Sequence, residues 1–110
     1  LLQTKTLILT PRYLVELSDD ICAIIPLPEV LWIYDHAAMR RTIKGRQLSY
    51  TIHVVTMKGE EYTLTGKSHR EVSAIYHELN TRYPNFFFGY SKEHQEMVQY
   101  VLHEMKNEKA

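Results

Sequence analysis

Cysteine, glycine and long apolar runs are all scarce in this sequence, and each scarcity excludes something. Among 110 residues there is one cysteine, Cys22. A lone thiol rules out a disulfide within the chain, and it fits a reducing compartment. Cys22 lies in an apolar run, where a thiol is expected to be inert packing rather than a nucleophile. None of the four glycines belongs to a glycine-rich dinucleotide loop, and neither a nucleophile elbow nor an HExxH motif occurs. The most apolar stretch, residues 21–34, is interrupted by Pro26, Pro28 and Glu29. It falls far short of the ~20 apolar residues that a membrane-spanning helix needs. The start shows no basic, apolar, then small-residue order, so no signal peptide is read there. Net charge is also missing. Thirteen Lys plus Arg balance thirteen Asp plus Glu, which disfavours a dedicated nucleic-acid binder, usually basic overall.

What is present points to one folded domain. Hydrophobic residues make up 45% and charged residues 24%, the composition of a globular chain rather than a disordered one. A chain of this length buries roughly two-thirds of its unfolded surface, enough for a single core without staples. The first two-thirds alternates as strands: residues 6–10, 13–17, 21–26, 30–38, 47–57 and 61–65, about six in series. Leu48, Tyr50, Ile52 and Val54 share one face. Val30, Trp32 and Tyr34 are expected on one face of their strand, with Leu31 and Ile33 on the other. The last third reads as helix. Ser68-His69-Arg70-Glu71 has capping-box spacing, and Val72, Ile75, Tyr76 and Leu79 follow as an apolar stripe. Pro84 ends this helix near Arg82. The phenylalanines of residues 85–90 are expected to plug one end of the sheet. Ser91 then caps a second helix with the stripe Val98, Val101, Leu102 and Met105.

Motifs of chemistry are weak. Gly66-Lys67-Ser68 sits where the tail of a phosphate-binding loop would sit, but the pattern needs a glycine at position 61, which is Glu61. It is read as a strand-to-helix turn. None of His36, His53, His69, His77, His94 and His103 lies three or four residues from another, so no metal and no cofactor are expected. Asp35 and His36 are strand neighbours and point to opposite faces. Trp32, Tyr50 and Tyr62 are read as core packing rather than as a stacking platform for bases.

Charge is the uneven feature. From residue 36 to 59 there is no Asp or Glu, yet Arg40, Arg41, Lys44, Arg46 and Lys58 lie there. The neutral total therefore hides a middle of +5 between flanks of −3 and −2. Arg40, Arg41, Lys44 and Arg46 cluster around a hairpin tip at Thr42-Ile43-Lys44-Gly45. Two readings stay open: a solvated loop, or a binding surface for an anionic membrane or an acidic partner.

The strand series closed by a helix resembles the bacterial pleckstrin-homology-like domains. The likeness is carried by Leu9-Thr10-Pro11-Arg12-Tyr13-Leu14, Ile24-Ile25-Pro26-Leu27, Val30-Leu31-Trp32-Ile33-Tyr34 and the strand at 49–57 with Lys58-Gly59-Glu60. Asn80 to Pro84 and Gly89-Tyr90-Ser91 extend it to a family of uncharacterised Gram-positive bacterial proteins. The resemblance implies an α+β, mainly β fold: a barrel of about six antiparallel strands closed by a C-terminal helix, with a second helix after it. It implies lipid, peptide or protein binding rather than catalysis. In the wider superfamily lipid-headgroup binders place basic residues on the first hairpin, which here offers only Arg12 beside Asp19 and Asp20. Members often carry membrane segments before this domain. Since the chain opens Leu1-Leu2-Gln3 without Met, it is expected to be a piece of a longer protein. The expected location is cytoplasmic, tethered to the inner membrane face by a segment upstream. The expected function is a non-catalytic binding or scaffolding module, its partner a protein or an anionic membrane surface and not nucleic acid. The alternatives are a self-association domain forming a homodimer and, behind it, a small-molecule sensor or enzyme.

Overall fold

The computed structural model describes residues 2–3, 6–18 and 21–109, leaving aside the side chains of residues 2, 18, 21, 22, 40, 42, 108 and 109. The turn at Asp19-Asp20 and the packing of Cys22 lie outside the described residues. The chain is α+β and mainly strand. β1 (Leu2–Gln3), β2 (Leu7–Leu9), β3 (Tyr13–Ser18) and β4 (Ile21–Pro26) form one antiparallel sheet in chain order. β5 (Val30–Thr42), β6 (Gly45–Thr56) and β7 (Glu61–Lys67) form a second, joined at its β5 edge by the short parallel strand β8 (Phe87–Phe88). Helix α1 (His69–Arg82) precedes β8, and α2 (Lys92–Lys109) follows it.

A closed barrel of about six strands is not what forms. Among the described residues there are eight strands in two four-stranded sheets, and the sheets do not join. The reason is local. Pro26 and Pro28 have no N–H to donate, and residues Leu27–Glu29 wind into a 3-10 turn between β4 and β5. Consecutive strands therefore part at this point instead of pairing.

One core fills the space between the sheets. Leu7, Leu9 and Leu14 from the first sheet meet Ile33, Ile52, Val54 and Leu64 from the second, and α1 adds Val72, Ile75 and Leu79. The helix starts where the capping box predicts: the Ser68 hydroxyl accepts from Glu71 N at 3.2 Å and Ser68 N donates to Glu71 Oε1 at 3.1 Å. Of its expected stripe, Tyr76 is half-buried and its hydroxyl donates to Asp35. Burial first, then the bond to Asp35, holds that hydroxyl protonated far above its ordinary range. Arg70 and His77 are exposed, while Glu78 is partly covered and reaches Arg82 at 3.4 Å. Both ends of α1 are tied to the first sheet. The Thr6 hydroxyl donates to Glu71 Oε2 at 2.6 Å, and Arg82 Nη1 donates to the Thr10 carbonyl at 3.1 Å.

Two expectations about faces are corrected. A register shift between Val30 and Trp32 lets Leu31 join Trp32 on the outer face, while Val30 stays with Ile33 in the main core. Such a bulge flips the alternation for one residue. The outer cluster of Leu31, Trp32 and Val55 is covered by Val98, Val101 and Leu102 of α2. The phenylalanines do not plug an end of the sheet as one group. Phe86 and Phe88 pack on the main core, whereas Phe87 packs in the outer cluster. Strand pairing of Phe87 and Phe88 with Trp32 and Ile33 sends alternate rings to opposite faces.

Lys67 has a role that spacing alone did not reveal. The strand-to-helix turn forms as read, with β7 ending at Lys67 and Ser68 capping α1, but the Lys67 side chain is fully buried, its Nζ 2.7 Å from Glu16 Oε1, with side-chain exposures of 0% and 3%. Gly66, with φ of +68°, lies within an irregularity of the β6–β7 register. Glycine tolerates that backbone, and the extra residue re-aims Lys67 toward β3. The pair thus bridges the two sheets. Lys67→Met leaves the Glu16 carboxylate buried without its cation and is expected to cost about 3–5 kcal/mol. The double variant Glu16→Leu/Lys67→Met is expected to recover most of that loss in urea denaturation. Equal destabilisation of single and double variants would show that the pair is not the source.

Candidate functional site

The basic cluster lies on an arm. β5 and β6 run 13 and 12 residues, but only their outer halves near Val30 and Thr56 enter the body. Every described side chain of residues 36–48 is exposed, on both faces of the ribbon. About six residue pairs at ~3.3 Å each give an arm of roughly 20 Å, in keeping with principal extents of 52 × 29 × 27 Å. Ile43 and Lys44 form the tip between Thr42 and Gly45, which are paired. Gly45 takes φ of +119°, a turn conformation that a side chain would strain.

Register decides what the arm presents. Arg41 lies directly opposite Arg46, and Met39 opposite Leu48. Paired residues share a face, as do residues two apart, so these four line one side. That side continues the face which carries Tyr50, Ile52 and Val54 into the core. Arg41, Lys44 and Arg46 are exposed, and the ion pairs among the described residues involve none of them. The backbone of Arg40 is opposite Gln47, and its side chain lies outside the description. Around the cations three apolar side chains are uncovered: Met39 at 60%, Leu48 at 54% and Ile43 at 106% exposure. At the root of the arm an open groove of about 410 Å³ runs between Arg41, Gln47, Leu48 and the β7–α1 junction.

A second group sits on the outer face at the same root. Although far apart in sequence, His36 and His53 meet, with Nδ1 of one 2.9 Å from Nε2 of the other. Asp35, pointing to the opposite face as expected, is instead the partner of Tyr76. The Tyr34 ring stacks on His53 at 4.6 Å, and its hydroxyl donates to Glu61 Oε1 at 3.1 Å. Burial and then the Glu61 carboxylate raise the Tyr34 hydroxyl above its ordinary value. His53 Nδ1 is buried and makes no hydrogen bond, with Glu61 Oε1 3.5 Å away. Burial first, then His36, pushes the His53 imidazolium below its ordinary value of 6.5 against the pull of Glu61. Glu61 and His36 approach His53 from its two different ring nitrogens, so no single point is shared by all three. Among the described residues no group of three or more His, Cys, Asp or Glu is arranged to hold a metal.

A family model described as a domain of unknown function (DUF6709) matches residues 4–98. The chain belongs to that family. No curated protein and no solved structure matches it. Among the described residues of this DUF6709 domain no helix is long and apolar enough to cross a membrane.

In this DUF6709 domain the four cations expected from the sequence do fall on one hairpin tip, at Arg40 and Arg41 on β5, Lys44 in the turn and Arg46 on β6. Sequence reasoning missed the apolar companions. Alternation placed Leu48 with Tyr50 and Ile52 as inward residues, but the strand outruns the body it packs on. The one available signal was an isoleucine at a turn tip. The histidine pair was also missed, because cross-strand register and not spacing brings it together.

The lowered proton affinity of His53 makes the stability of the fold depend on pH. A histidine whose folded pKa is depressed stabilises the fold fully above its unfolded pKa, and that stability is lost as pH falls through the folded value. Stability is therefore expected to be level above about pH 7 and to fall through the range below ~6.5. His53→Phe, which keeps the ring in the stack, is expected to shallow that fall. Identical acid limbs for the two proteins in pH-dependent denaturation would exclude His53 as a contributor.

Proposed function

We propose that this domain is a non-catalytic docking module whose hairpin arm rests on an anionic membrane surface. The observation that carries this reading is the facing pair Arg41 and Arg46 at the end of an exposed arm without acidic residues. Like charges directly opposite on paired strands destabilise the ribbon. An anionic surface neutralises both at once, and Lys44 and Arg40 add to the same field. The cytoplasmic leaflet is the anionic one in cells, which makes the inner membrane face the location of choice. The pleckstrin-homology-like relationship belongs to this reading too, supported by two mainly antiparallel four-stranded sheets around one core to which α1 contributes.

Magnitudes limit the strength of such docking. Each cation near an anionic leaflet contributes about 1 kcal/mol, and four give ~4 kcal/mol at best. Salt screening and ordering of the arm reduce the sum. This orients a domain that is already tethered, where effective concentration is high, and holds a free one only weakly.

A second reading, self-association, is favoured by the outward side of α2, where Met97 and Tyr100 are 51% and 66% exposed. Sedimentation decides it: a monomer at high protein concentration removes this alternative.

For the membrane reading, the purified chain is expected to bind acidic vesicles weakly and neutral ones not at all, with binding lost as salt rises. Replacing Arg40, Arg41, Lys44 and Arg46 by Gln is expected to abolish binding while leaving denaturation unchanged. Equal binding to both kinds of vesicle, or full binding by the four-fold variant, would refute it.

A further inference from the structure

The hairpin tip holds a feature that charge does not explain. Ile43, one of the two residues at the tip of the arm, is 106% exposed, so it packs on nothing in this chain. Exposed large apolar residues are ordinary when scattered singly. Here three of them, Ile43, Met39 and Leu48, fall within ten residues of sequence on the same arm as the cations. Their order along the arm is also fixed by register. Ile43 and Lys44 are outermost, Arg41 and Arg46 lie behind the intervening Thr42–Gly45 pair, and Met39 and Leu48 lie two residues behind those.

Resting on the membrane reading above, we propose that the arm is a wedge: Ile43 enters the acyl boundary of an anionic bilayer while Arg41, Lys44 and Arg46 hold the phosphates. The dimensions agree. With a rise of ~3.3 Å per residue, Ile43 stands about 3–7 Å beyond the Arg41–Arg46 pair. With the guanidinium groups at the phosphates, that reach brings the Ile43 side chain to the top of the hydrocarbon, near the ~5–10 Å depth of other interfacial elements. Arginine suits the phosphate level because its planar fork binds phosphate oxygens two at a time. An end-on approach follows from the fold, because the body projects from the face of the ribbon that carries Met39 and Leu48. Those two side chains then line the part of the arm passing through the headgroups. A purely protein partner with an acidic groove would satisfy the cations equally but leaves Ile43 without an acyl layer.

Two variants at one position test the wedge separately from the electrostatic docking. Ile43→Trp places an indole at a site with no intramolecular contacts, and the wild-type chain serves as the baseline for Trp32, which is buried at 5% exposure. On vesicles of mixed anionic and zwitterionic phospholipid, the introduced indole is expected to shift to the blue and to be quenched by lipids brominated on the acyl chain. Ile43→Ser is expected to weaken vesicle binding roughly 10- to 100-fold, the transfer of one isoleucine side chain, without moving the denaturation midpoint. If the wild type binds acidic vesicles but the indole stays in water, or Ile43→Ser binds like wild type, the wedge is refuted and electrostatic docking stands. If the wild type does not bind acidic vesicles at all, the membrane reading falls and the wedge with it.

Discussion

The ion pair between Glu16 and Lys67 is the constraint on which the arrangement of the two sheets depends. Because β4 and β5 part at residues 27–29, no backbone ladder carries the first sheet into the second. The fully buried residues of the core between them are aliphatic, and aliphatic packing fixes volume better than it fixes register. A buried carboxylate 2.7 Å from a buried ammonium adds direction to that interface. Such a pair adds little net stability over an apolar replacement, but it strongly disfavours arrangements in which either charge loses its partner. The bonds from α1 to Thr6, Thr10 and Asp35 act in the same sense, tying one helix to both sheets.

Only with a body held this way does the arm have a base to project from. The same two strands serve both parts. Near Val30 and Thr56 their side chains enter the core, and beyond residue 36 they enter water. The backbone pairing is continuous, yet the energetics change along it. In the body the strands are held by buried Ile33, Ile52 and Val54. In the arm they are held by hydrogen bonds exposed to solvent and opposed by Arg41 facing Arg46. Local opening free energy is lowest in such segments, and binding elements are drawn from them.

The histidine pair marks the border between the two regimes. His53 is largely covered, stacked on Tyr34 and set against Glu61, whereas His36 faces water. The covered ring feels the dielectric of the body and the exposed ring that of the solvent, although they touch. Burial, and then the neighbouring His36, lowers the proton affinity of His53.

Much of the molecule was legible from local pattern. The capping box at Ser68 and Glu71, the stripe of Val72, Ile75 and Leu79, the alternation through Ile52 and Val54, and the basic hairpin all follow from spacing. Short-range rules suffice for these because each depends on backbone geometry within a turn or a few strand residues. The tertiary structure alone decided the rest. Lys67 and Glu16 are 51 positions apart, and His36 and His53 are 17 apart; their meeting depends on where bulges at Leu31 and Gly66 shift the register. Whether Leu48 is core or surface depends on how far a strand outruns the sheet beneath it. Hydrophobic periodicity encodes which face a residue occupies, and carries no information about whether anything lies opposite that face.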